Sequence, residues 1–95
     1  MDQQIRKLKN LVDKYLHKTR KHVVKDWKNP LKESDNDILF FRKHWRVLFW
    51  DEIAFIFEED KVTDIVITEY LLGIELRCIY FYEHQLPEYK VVNSF

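Results

Sequence analysis

Between Ile5 and Trp27 the apolar residues recur at steps of three and four: Ile5, Leu8, Val12, Tyr15, Leu16, Val23 and Trp27. This is the period of one face of an α-helix. Leu11 and Val24 widen the stripe, while Arg6, Lys7, Lys9, Lys14, Lys18, Lys21, Lys25 and Lys28 take the remaining directions. The pattern predicts a long amphipathic helix over about residues 2–28. Asn29 and Pro30 end it, because the residue before a proline is pushed out of the α region and the ring clashes with the preceding turn. Residues 29–37 are polar and read as a connector, with Ser34, Asp35 and Asn36 as turn or cap residues.

From Ile38 onward the residue types shift to Phe, Trp, Ile, Val, Tyr and Thr, which suit a pleated surface, and the helical period fades. Residues 38–93 are expected to form the sheet. Ile38–Lys43 fits either a short strand or a turn of helix, and Trp45–Phe57 reads as one long strand bent near Asp51 and Glu52. Glu58, Glu59, Asp60 and Lys61 make a charged turn into a strand over Val62–Leu71. Leu72 and Gly73 then reverse the chain into Ile74–Glu83, where the only glycine supplies the positive φ that a tight turn needs. A proline turn at Gln85–Glu88 precedes a short last strand, Tyr89–Val92. Connections this short make the strands antiparallel, since parallel neighbours need a crossover of about a dozen residues. The expected fold is therefore α+β: a long N-terminal amphipathic helix packed on an antiparallel β-meander of three to five strands, one domain over residues 1–95.

The strands are apolar on both sides near their centres. Ile74, Leu76, Cys78, Tyr80 and Tyr82 alternate with Glu75, Arg77, Ile79, Phe81 and Glu83. Val47, Phe49, Ile53, Phe55 and Phe57 oppose Leu48, Trp50, Ala54 and Ile56. A sheet with one wet face alternates cleanly, so both faces call for cover, and one helix covers one. Unless a short second helix around Ile38–Trp45 folds over it, the other face is expected to present an apolar centre of Trp50, Ile56, Ile79 and Phe81 inside a rim of Glu52, Glu58, Glu75 and Glu83. An apolar centre with a polar rim is how protein interfaces are built.

Charge adds a second candidate. The 16 basic and 16 acidic residues cancel overall but separate along the chain: 13 Lys and Arg against 6 Asp and Glu up to Arg46, then 3 against 10 from Asp51. Lys14, Lys18, Lys21 and Lys25 on the basic helix form the alternative site, a salt-sensitive contact to nucleic acid phosphates. The acidic second half weighs against it, and against an anionic membrane.

Conventional chemistry is sparse. His17, His22, His44 and His84 are separated, and His22 with Asp26 at an i,i+4 spacing suits a surface pair. No spacing suits zinc, and no metal or cofactor is expected. Cys78, the only cysteine, sits among alternating apolar neighbours as a small hydrophobe and points to a reducing, cytoplasmic setting. One glycine cannot build a phosphate-cradling loop. Asp64, Glu75 and Glu88-Tyr89-Lys90 loosely imitate a metal-dependent nuclease, a third reading that requires the carboxylates to converge. No leader, transmembrane run or small-molecule substrate is expected. The resulting expectation is a non-enzymatic protein–protein interaction module, a homodimer or a small inhibitor or adaptor of a larger complex. Viral accessory proteins such as anti-CRISPR inhibitors, and toxin immunity proteins, are analogous in size alone.

Overall fold

In the computed structural model, which describes residues 3–83 and 88–91, two helices lie on one face of a five-stranded antiparallel sheet. Helix α1 spans Gln3–Tyr15 and α2 spans Arg20–Trp27. The strands are β1 (Ile38–Arg46), β2 (Phe49–Glu58), β3 (Lys61–Leu71), β4 (Ile74–Phe81) and β5 (Glu88–Val91). They pair in sequence order, as a meander. The molecule is 18 Å along its thinnest axis, the depth of one sheet and one helical layer.

The single long helix of the sequence reading is in fact two. His17 adopts a φ of 66°, its N–H donates to the Val62 carbonyl, and the Val62 N–H donates back to Lys18. Thr19 bridges to Lys61, then caps α2 by accepting from the His22 N–H. Backbone groups that a continuous helix would satisfy internally are met by β3 instead. The polar run His17–His22 between Leu16 and Val23 carries the sequence signal for this break.

The long strand expected over Trp45–Phe57 is also two strands. β1 and β2 meet at a turn through Val47 and Leu48, with Arg46 opposite Phe49 and a bulge after His44. Ile38–Lys43 is the first part of β1. The charged turn at Glu59-Asp60 and the reversal at Leu72-Gly73 fall where expected. Each has two central residues at positive φ, the geometry of a type I′ hairpin.

The core lies between helices and sheet. Leu8, Tyr15 and Val23 from the helices meet Leu39, Phe41, Ile53, Phe55, Phe57, Val62, Ile65, Ile67 and Ile79. Phe55 is its hub, with Tyr15, Trp27 and Phe41 edge-on at centroid distances of 5.4, 5.7 and 5.9 Å. The Tyr15 hydroxyl donates to Asp26 at 3.0 Å and so ties α1 to α2. The connector runs along β1: the Leu31 N–H donates to Phe40, the Asp35 N–H to Ile38, and the Phe40 N–H to Ser34 Oγ.

Candidate functional site, the uncovered sheet face

The strand registers assign each side chain a face. Leu39, Phe41, Ile53, Phe55, Ile65, Ile67 and Ile79 point to the helices, so the residues between them point away. Three cross-strand rows result on the outer face. One runs Phe40, Ala54, Val66, Tyr80; the next runs Arg42, Glu52, Thr68, Cys78; the third runs His44, Trp50, Tyr70, Glu75. Ile56 extends the apolar area below the first row, opposite Ile38.

The third row is an aromatic platform. Trp50 and Tyr70 stack at 5.6 Å, the Arg42 guanidinium lies 5.1 Å from the Trp50 ring, and the His44 ring lies 5.5 Å from it. The Trp50 indole N–H is buried and has no acceptor among the described residues. Glu52 is half-buried beside this platform. Burial pushes its carboxyl pKa up, and the neighbouring charges of Glu33 and Glu75 add to the effect while Arg42 opposes it. The Tyr70 phenol is raised as well, by burial first and then by Glu52 and Glu75.

Beyond the aromatic row stand the tips of two hairpins. The Leu72 N–H donates to the Leu48 carbonyl at 2.9 Å, which holds the tips side by side. Val47 is 93% exposed, Leu72 61%, Leu48 48% and Ile74 37%. Four large aliphatic side chains thus stand at one end of the sheet, Ile74 on the helix side of its strand, and Gly73 sets the β3–β4 tip against Trp50. The sequence reading named none of the four as site residues, because it placed Val47 and Leu48 inside a strand and Leu72 and Ile74 at a reversal.

Of the eight interface residues named from sequence, the outer face gathers Trp50, Ile56, Glu52 and Glu75. Ile79 is the correction: it is 2% exposed in the core beneath the helices, and Phe81 packs against that same core. The cause is a bulge between Glu69 and Tyr70, where Glu69 faces Arg77 but Tyr70 faces Glu75. Leu76 is the extra residue, so Glu75 and Ile79 fall on opposite faces despite their even spacing. Cys78 and Tyr80 occupy the outer face instead. Glu58 is exposed at the far hairpin, and Glu83 contacts His17 and donates its N–H to Asp64, so neither rims the platform.

The helix lysines divide. Lys21 and Lys25 border a shallow depression with Arg20 and Asp60, whereas Lys14 stands beside Trp27, Arg42 and Lys43; Lys18 is exposed at the helix break. His22 lies 3.7 Å from Asp26. Asp64 faces Ile56 at one end of the sheet and Glu75 faces Tyr70 at the other, six residues along β3, about 20 Å. Glu88 and Lys90 pair in the backbone register with Tyr80 and Cys78. Asp64 and Glu75 are therefore not gathered, and no group of three metal-ligating side chains occurs among the described residues. His84 lies outside them. No described helix is long and apolar enough to cross a membrane.

No protein-family model matches the chain, and neither the curated proteins nor the solved structures contain a significant match.

Proposed function

We propose that the chain is a non-enzymatic protein-interaction module whose outer sheet face pairs with the same face of a second copy. The observation that carries this reading is the uncovered platform of Phe40, Trp50, Ile56, Val66, Tyr70 and Tyr80 running into the apolar hairpin tips. Symmetry argues for a second copy as its occupant. A two-fold axis parallel to the strands lays β1 of one chain over β4 of the other at the same height. His44 then meets Glu75, Trp50 meets Tyr70, Phe40 meets Tyr80, and the tip at Val47 and Leu48 meets the tip at Leu72. Apolar groups of similar size coincide, and the His44 imidazole comes opposite the Glu75 carboxylate, without any change of conformation, as an isologous interface requires. The four overlapping strands, spaced about 4.8 Å apart and about eight residues long, offer roughly 520 Å² per chain, to which the hairpin tips add.

Electrostatics favours protein over nucleic acid at this face. Arg42 is the one fixed cation there among the described side chains, against Glu52 and Glu75 with Glu33 near by. The test is sedimentation equilibrium over a concentration series up to millimolar chain. Wild type is expected to dimerise, and Trp50→Glu and Leu72→Glu to remain monomeric with unchanged circular dichroism. A wild-type chain that stays monomeric throughout overturns the homodimer.

A further inference from the structure

The helical layer does not reach the whole inner face. Helix α1 lies over β3 and β4, and α2, of eight residues, extends about 12 Å, less than half the length of β1. It ends at Trp27, over Phe41. Past that ring, toward Lys43 and Asp51, a cleft of about 420 Å³ opens between α1 and the β1–β2 hairpin. Its floor is apolar: Leu11, Tyr15, Trp27, Ile53 and Ile67. A volume of this size lies within the range of small-molecule sites.

The polar groups of the cleft sort into two sets. Asp51, 3% exposed, accepts from Gln4 Nε2 at 2.8 Å with one carboxylate oxygen and from Lys7 Nζ at 2.9 Å with the other. Both of its oxygens, and the Lys7 charge, are occupied within the protein. Lys14 and Lys43 are different. Their ammonium groups lie 5.5 Å from the Tyr15 ring and 6.0 Å from the Trp27 ring, and neither has a carboxylate within ion-pair distance among the described residues. Two cations without an ion-pair partner among the described residues therefore stand over an aromatic floor, with Asn10 beside them and Asp26, which accepts from Tyr15, in the adjoining depression.

We infer that this cleft is a binding site for a small planar aromatic anion, its ring lying on the Trp27 and Leu11 floor and its charged group held between Lys14 and Lys43. Apolar contact supplies ring affinity, and charge-assisted hydrogen bonds from two ammonium groups select the anion. Carboxylates and phosphate monoesters share this chemistry. The site lies on the opposite side of the sheet from Trp50 and does not depend on dimerisation.

The test titrates the full chain with naphthoate, naphthyl phosphate and uncharged naphthalenemethanol, following backbone and indole N–H resonances by NMR. At least one anion is expected to bind about tenfold more tightly than the alcohol, shifting Trp27 and Leu11; the tighter of the two identifies the charged group preferred. Lys14→Gln with Lys43→Gln, both on the surface, should abolish that preference while leaving alcohol binding unchanged. Equal affinity for anions and alcohol, anion binding untouched by the double substitution, or shifts confined to Trp50 and Tyr70 would each overturn the assignment.

Discussion

The carboxylate of Asp51 is a charge buried on the core side of the sheet, and its two partners make its contribution measurable. Lys7→Met keeps most of the lysine stem but removes the ammonium group 2.9 Å from Asp51 Oδ2. Severing a buried ion pair typically costs about 3–5 kcal/mol, because the remaining charge is left uncompensated. Two features lower that figure here. The Lys7 side chain is 34% exposed, so water can replace the ammonium, and Gln4 still donates to Oδ1. A loss of about 2–3 kcal/mol is expected. With a urea slope of about 1–3 kcal/mol per molar, the midpoint falls by roughly 0.7–3 M. Replacing all three polar groups, as Gln4→Leu, Lys7→Met and Asp51→Leu, removes the buried carboxylate together with these two donors and is expected to restore stability to within about 1 kcal/mol of wild type. The assay is urea unfolding followed by tryptophan fluorescence and circular dichroism together, with coincident transitions. If Lys7→Met costs less than about 0.5 kcal/mol, or the triple variant is the less stable of the two, the assignment of Asp51 as a buried charge held by its partners is wrong.

Glu52 supplies a pH dependence. A carboxyl group with a higher pKa in the folded chain than in the unfolded chain binds its proton more tightly when folded. The stability this contributes is present in acid and is lost as pH rises through the folded pKa. Glu52→Gln is therefore expected to be more stable than wild type at neutral pH, with the difference vanishing below the ordinary value of 4.5, as urea midpoints at the two pH values will show. Dimerisation that covers Glu52 should strengthen on acidification more in wild type than in this variant, read by sedimentation. At the far hairpin, Glu59→Asn with Asp60→Gly places at two positive-φ positions the residues that tolerate them, and should raise stability by about 1 kcal/mol in thermal unfolding. Ile79→Ala should cost about 2–5 kcal/mol, as a fully packed core residue does, whereas an outer-face Ile79 would cost little.

That last contrast shows where the sequence was legible. The helix period, the Gly73 reversal and the acidic turn at Glu58–Lys61 are local signals, and each has its counterpart in the fold. The two-fold breaks were harder. A turn at Val47 and Leu48 carries no glycine, asparagine or proline, so its residues read as strand. The interruption after Leu16 is made by hydrogen bonds to Val62, a partner distant in sequence. The site suffered most from phase. Alternation tells which residues of one strand share a face, but the bulge at Leu76 separates Glu75 from Ile79, and pairing across β3 decides which set is covered. Trp50, Ile56 and Glu52 were assigned to the right side, because β2 keeps its phase from Trp50 to Ile56.

The connector from Leu31 to Ser34 has consequences for how copies of this chain can join. By donating to and accepting from Phe40, it occupies hydrogen-bonding positions on the free side of β1 where another strand would add. A sheet that could grow at both margins would recruit copies end on end into a filament. Over Ile38–Phe40 that margin is already filled, so a strand from another copy cannot pair along the whole of β1. The adhesive outer surface is thus displayed beside a margin whose first part is closed to strand addition.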